Sequence, residues 1–99
     1  MRVIADNTHL LSLLEDVATA LLTPSHSKGH KVVEVNRLLH RWRQHHDVES
    51  LARYQHCFLE SLALAACRGL SGESHDLDRS LSSLEVNVNY YRARIPDWQ

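Results

Sequence analysis

Leucine, valine and alanine recur at intervals of three and four residues along nearly the whole chain, which is the spacing of one face of an α-helix. The C-terminal segment is the most regular, with intervals of 4-3-4-3-4 from Leu77 to Ile95. No segment alternates apolar and polar residues as a half-buried strand would. The pattern therefore predicts an all-α protein, a small antiparallel helical bundle of about four helices. Residues 1–99 are expected to form a single helical domain.

Capping residues and prolines mark most of the expected helix ends. Helix 1 is expected to begin near Asp6, Asn7 and Thr8, all residue types that favour the N-cap. It ends at Leu22, because Pro24 disfavours helical backbone in the residue before it. Asp76 is the expected cap of helix 4, and Pro96 ends that helix. The predicted helices are helix 1 to residue 22, helix 2 over 30–44, helix 3 over 48–68 and helix 4 over 77–95.

Two helix ends rest on weaker signals. The apolar stripes of helices 2 and 3 point about 140° apart at 100° per residue, so a turn at residues 45–47 is expected, with Asp47 capping helix 3. No glycine or proline separates the two helices, and one continuous helix over residues 30–68 remains the alternative. At the other end of helix 3, Gly69 is expected to adopt the left-handed conformation, with Leu70 supplying the accompanying apolar contact.

Composition and hydropathy exclude several classes of protein. With 43% hydrophobic and 23% charged residues, the chain has a globular rather than a disordered composition. It has no apolar run of about 18 residues that could span a membrane, and the N-terminal residues lack a signal-peptide core. Cys57 and Cys67 lie on helix 3, about 15 Å apart along its axis, which is too far for a disulfide. Two free thiols favour a cytoplasmic protein.

The sequence carries little that indicates catalysis or metal binding. No CxxC, no HExxH and no Cys-His set with zinc spacing occurs. The eight histidines are expected on solvated polar faces, and Cys67 is expected to be packed at a helix end beside Ala65 and Ala66. We therefore expect no catalytic residues, no metal and no cofactor, and we predict that the protein is not an enzyme. A metal-binding protein or an enzyme is the third interpretation.

Charge is segregated along the chain although the net charge is only −1. Residues 26–56 contain six of the 11 lysines and arginines but only three acidic residues. They also contain six of the eight histidines. On helix 2, Arg37, Arg41 and Gln44 lie opposite the apolar stripe. Such a face could be solvated, or it could bind an acidic protein surface or the phosphates of a nucleic acid. A nucleic-acid-binding regulator using these three residues is the second interpretation.

Helix 4 carries a narrow apolar seam that predicts a contact with one other helix. Its flanking positions are mostly Ser, Asp, Arg, Glu and Asn, and a stripe of two positions in seven is typical of pairwise helix packing. The partner helix is helix 3 of the same chain or helix 4 of a second copy, and because a 99-residue chain buries little surface, a homodimer or a contact with a partner protein is expected. The leading interpretation is a small cytoplasmic protein–protein interaction module, an adaptor, anti-activator or chaperone-like regulator. The expected interface residues are Leu77, Leu81, Leu84, Val88, Tyr91, Ile95 and Trp98.

Overall fold

The structure, a computed structural model, describes residues 3–70 and 76–97 and confirms a small bundle of four α-helices. Two 3-10 turns of three residues each lie at Val48–Ser50 and Ile95–Asp97. The antiparallel order of the helices stays a prediction. In chain order the helices and strands are β1 (Val3–Ile4), α1 (Asn7–Leu22), α2 (Lys28–His45), β2 (His46–Asp47), α3 (Arg53–Leu70) and α4 (Leu77–Arg94).

Side-chain caps explain where three helices begin. Asp6 accepts a hydrogen bond from the backbone N–H of His9 at 3.0 Å, and the Nδ1 atom of His9 accepts one from the backbone N–H of Asp6 at 3.3 Å, which together form a capping box. Asp76 caps α4 as predicted. The prediction that helix 2 begins at residue 30 is wrong by two residues, because Ser27 is the cap and its hydroxyl accepts from the N–H of His30.

The chain breaks between α2 and α3, as the phase of the apolar stripes predicts, but the break is longer than expected. The prediction that helix 3 begins at residue 48 is wrong, because Asp47 caps a 3-10 turn instead and accepts from the N–H of Glu49 at 3.0 Å. Two very short strands, β1 and β2, join the N-terminal residues to this break. Val3 and Ile4 pair in parallel with His46 and Asp47, and a ladder of two residues is too short to leave a periodic signal.

Gly69 lies inside α3 and does not adopt the predicted left-handed conformation. Its lack of a side chain serves close packing: an added Cβ would lie 2.9 Å from the Ser80 Oγ atom and 3.0 Å from the Val32 Cγ1 atom. Ser80 is fully buried, and its hydroxyl donates a hydrogen bond to the carbonyl oxygen of Ala65. Gly69 therefore allows α3 to approach α2 and α4 closely. The loop predicted at residues 71–75 lies outside the described residues.

All four helices contribute to one hydrophobic core. α4 packs most extensively against α3, and it also contacts α1 and α2. The middle and end of the predicted seam are part of this core, since Leu84, Val88 and Ile95 are buried. Its remaining described members are half-buried and pack against the same core: Leu77, Leu81 and Tyr91.

Candidate functional site

An open groove runs between α1 and α2. It consists of two adjoining clefts of about 340 and 310 Å³ that share Asp16 and Leu38 as lining residues. We call the whole depression the α1–α2 groove. Its junction end, beside the break between α2 and α3, is also lined by His9, Leu13, Arg41, Trp42, His45 and His46. Its loop end, beside the connection between α1 and α2, is also lined by Thr19, Thr23, His26 and Glu34.

The floor of the junction end is apolar, and its position follows from helical periodicity. Leu13 and Trp42 belong to the buried stripes of α1 and α2, while Leu38 is half-buried and packs against the core. The indole Nε1–H of Trp42 donates to the carbonyl oxygen of His9 at 3.3 Å and so ties the two helices together. Leu38 is thus the partly exposed apolar side chain at the base of the depression, while Leu13 and Trp42 lie beneath it, 2% and 8% exposed.

The His46 ring stacks on the Trp42 indole, and the His9 ring lies beside it, tilted by 58°. The His46 ring lies 4.2 Å from the indole at an interplanar angle of 12°, and the His9 ring lies 4.9 Å from that of His46. The Nδ1 atom of His46 is 2.9 Å from the Trp42 carbonyl oxygen, and since a carbonyl only accepts, Nδ1 carries the hydrogen.

The polar rim differs between the two ends of the groove. At the junction end Arg41 and His45 are exposed and Asp16 is the carboxylate among the lining residues. Within residues 3–70 and 76–97, neither Arg41 nor Asp16 belongs to an ion pair. At the loop end, hydrogen bonds from the Arg37 guanidinium hold the pKa of the Glu34 carboxyl below its ordinary value. Arg41 and Asp16 at the junction end are thus both without an ion-pair partner among the described residues, whereas Arg37 and Glu34 near the loop end neutralise each other.

The three residues of the predicted nucleic-acid face are all exposed on α2 but differ in what they contact. Arg37 is paired with Glu34, with its Nε atom 3.0 Å from the carboxylate, and Gln44 donates to the Nε2 atom of His40 at 3.2 Å. Arg41 lines the α1–α2 groove. Of the three, Arg41 is therefore the residue that lines the groove, while Arg37 and Gln44 contact neighbouring side chains of α2.

The helix 4 seam occupies a different position from the groove. Leu84 and Ile95 are fully buried inside the chain's own bundle, so a partner could contact them only if the bundle opened, while Val88 is 5% exposed in a cleft between α1 and α4. Trp98 lies outside the described residues. The exposed apolar side chains of α4 are instead Val86 and Tyr90, on the side that faces away from the core.

The remaining candidates for chemistry lie apart from one another. Cys57 and Cys67 are free and exposed on α3, so the expectation that Cys67 is packed at a helix end is wrong. In the described part of the chain, no group of three or more His, Cys, Asp or Glu side chains is arranged to hold a metal ion. None of the described helices combines the length and the apolar character needed to cross a bilayer.

The sequence pattern does not indicate the groove, because Trp42 belongs to the apolar stripe of helix 2 and His46 to the turn expected at residues 45–47. The four-residue spacing of Trp42 and His46 was the available signal, since residues four apart share a helix face. His9 joins them only through the packing of α1 on α2. Comparison of the chain with protein-family models, with curated proteins and with solved structures finds no match.

Proposed function

We propose that this chain is a small protein-binding module whose α1–α2 groove receives a segment of another protein. The observation that carries the proposal is the combination of an apolar floor and a polar rim in one open depression between two helices. Grooves of this kind bind an amphipathic helix, whose apolar side chains enter the groove while its polar side chains contact the rim. We propose that the protein acts through this contact and has no chemistry of its own.

The residue types at the junction end support binding of a protein. Trp and Arg are the residue types most enriched among the few that dominate binding energy, and Trp42 and Arg41 lie side by side there. Trp42 is anchored by its hydrogen bond to His9, so it loses little conformational freedom when a partner binds. The exposed free thiols Cys57 and Cys67 favour a reducing compartment, and we propose the cytoplasm.

The two alternatives proposed from the sequence receive less support. A homodimer through the helix 4 seam would require Leu84 and Val88 to leave the core. A nucleic acid would require several free cations on one face, and Arg37 is held by Glu34. Both remain outcomes of the experiment below, and light scattering on the purified chain tests the homodimer directly.

Site-specific crosslinking in cells of the native host tests the proposal. A photo-crosslinking amino acid replaces Ser12, an exposed residue that lines the groove, or in a matched control Glu60, an exposed residue on α3. We expect a discrete adduct with another protein from position 12 and none from position 60. Adducts only from position 60, adducts with nucleic acid, adducts with a second copy of this chain, or no adduct from either position would refute the proposal.

A further inference from the structure

The side of α4 that faces away from the core carries a second regular series of residues. Its members recur at intervals of 4-3-4-3-4, the spacing of a helix that pairs with another helix. Val86 and Tyr90 are its large apolar members and are 67% and 49% exposed. Val86 follows the buried Leu84 by two residues, which places the two side chains about 200° apart around the helix. We call this series the outer seam, and it consists of Arg79, Ser83, Val86, Tyr90, Ala93 and Asp97.

The order of residue types along the outer seam is complementary to its own reverse. When two copies of α4 lie antiparallel with residue 88 of each at a two-fold axis, Val86 of one copy is opposite Tyr90 of the other. In the same register the small residues Ser83 and Ala93 are opposite each other, so the two helices can approach closely there. A two-fold axis requires one surface patch to match itself, and the outer seam meets this requirement.

Charge is balanced at both ends of this register. Arg79 of one copy comes opposite Asp97 of the other, and Asp97 is exposed and belongs to no ion pair in the described part of the chain. The Arg79 Nε atom lies 3.3 Å from the Asp76 Oδ2 atom of its own chain, but this pair is exposed and a guanidinium has donors for a second carboxylate. With Arg94, each end brings together two guanidinium groups and two carboxylates. A parallel pair would instead oppose Arg79 to Arg79 and Asp97 to Asp97, which is unfavourable.

The centre of the outer seam is ordered and accessible. The Arg94 Cζ atom lies 4.3 Å from the centroid of the Tyr90 ring, a cation–π contact that restricts the ring before any partner binds. Tyr and Arg are among the residue types most enriched where binding energy is concentrated. An open depression of about 360 Å³ leaves room for side chains of a facing helix, and it is lined by Arg79, Ser82, Ser83, Val86 and Asn87.

We propose that the outer seam of α4 is the contact surface of an antiparallel homodimer, with a two-fold axis at residue 88. Val86 of each copy packs against Tyr90 of the other, and Arg79 of each copy pairs with Asp97 of the other. The buried seam of α4 stays in the core of its own chain. The α1–α2 groove lies on other helices, so it remains open in the dimer and its crosslinking from position 12 is a separate test.

The size of the contact sets its strength. From Arg79 to Asp97 the outer seam is roughly 27 Å long at about 1.5 Å per residue. One helix face of this length buries less than about 1,200 Å² in total, the size of a weak, transient interface. We expect a Kd of roughly 100 µM. The chain is then a monomer at the few micromolar used in unfolding measurements, and it dimerises as its concentration rises.

Sedimentation equilibrium of the purified chain from about 5 µM to about 1 mM covers this range of affinity. We expect the weight-average mass to rise from the monomer value of 11.4 kDa toward twice that value. Val86→Lys should weaken the dimer at least about tenfold, because it places a charge in the centre of the contact. Val33→Lys is the matched control, because Val33 is an exposed valine of α2, 52% exposed, and should leave the dimer unchanged.

Reversal of the terminal charges tests the antiparallel register. Asp97→Arg leaves three guanidinium groups against one carboxylate at each end and should weaken the dimer about threefold or more. Arg79→Asp combined with Asp97→Arg restores two charges of each sign and should recover the affinity of the unmodified chain. Rescue by a second charge reversal would not follow from a merely structural role of either residue.

Four results would overturn the inference. These are a chain that stays monomeric at the highest concentration, a dimer that Val86→Lys leaves intact, equal weakening by Val33→Lys, and a charge reversal that the double variant does not rescue. Far-UV circular dichroism of each variant checks that its helices are retained, so that a loss of the dimer reports on the contact.

Discussion

Gly69→Ala should destabilise the protein, although the same change in most helices is stabilising. A Cβ at position 69 would lie 2.9 Å from the Ser80 Oγ atom, 3.1 Å from its Cβ atom and 3.0 Å from the Val32 Cγ1 atom. Carbon atoms in ordinary contact are about 3.5–4.0 Å apart, so the new methyl group is roughly half an ångström too close on two sides. Ser80 and Val32 are fully buried, so α3 itself has to move.

The magnitude follows from three contributions. Forcing an extra methyl group into a packed core costs about 1–3 kcal/mol. Displacing Ser80 would weaken its hydrogen bond to Ala65, which contributes about 1 kcal/mol. Alanine's higher helix propensity opposes these losses by about 0.5–1 kcal/mol. We expect the free energy of unfolding to fall by about 1–3 kcal/mol, and each kcal/mol lowers Tm by about 4–8 °C in a domain of this size.

Gly29→Ala is the matched control. Gly29 is also helical, in the first turn of α2, but the nearest atom to an added Cβ is the Leu77 Cδ1 atom at 4.0 Å, an ordinary contact. Alanine there restricts the unfolded chain without strain and should stabilise the protein by about 0.4–1 kcal/mol. Urea unfolding followed by far-UV circular dichroism measures both variants. If Gly69→Ala is as stable as the unmodified protein or as Gly29→Ala, the close approach of α3 to α4 is wrong.

Three other predictions concern the core, one ion pair and the thiols. Leu84→Ala should lower the free energy of unfolding by about 2–5 kcal/mol, because Leu84 is fully buried. Val86→Ala should lower it by less than about 0.5 kcal/mol, because Val86 is 67% exposed, and equal losses would refute the orientation of α4. Glu34→Gln should lower the free energy of unfolding slightly near pH 7, where the ionised Glu34 carboxylate stabilises the folded protein through Arg37. This loss should shrink as the pH falls through the lowered pKa of Glu34, because the carboxylate of the unmodified protein then becomes protonated. A difference in urea unfolding that does not change with pH would contradict this. Cys57 and Cys67 should both be alkylated in the native protein, with no intramolecular disulfide by intact mass.

Helix number and the buried faces were predictable because helical periodicity is strong over four segments of 16 to 18 residues. Pro24 and Asp76 marked ends correctly because their effects are local, and of the three expected caps of helix 1, Asp6, Asn7 and Thr8, it is Asp6 that caps α1. Ser27 was missed as a cap because Gly29 directly follows the first helical residue and resembles a loop residue. A cap is decided by one side-chain hydrogen bond, and competing loop signals hide it.

The groove could not be predicted because it depends on which helices become neighbours. Arg41 was identified as a candidate on α2, but periodicity does not tell which element packs beside it. His9 and His46 come together only when α1 packs on α2 and when β1 pairs with β2. That pairing joins residues more than 40 positions apart through a ladder of two residues, so nothing within either segment predicts it.

The narrow seam of helix 4 was a correct observation with two possible partners, and α3 of the same chain is the one that the structure provides. A polar residue in the sequence, Ser80, is fully buried beside the seam, because its hydroxyl is satisfied by the Ala65 carbonyl. Gly69 then lets α3 come close enough to cover it. A helix can thus bury more of its surface than its apolar stripe suggests when small residues face it. For that reason a stripe of two positions in seven does not by itself indicate a dimer.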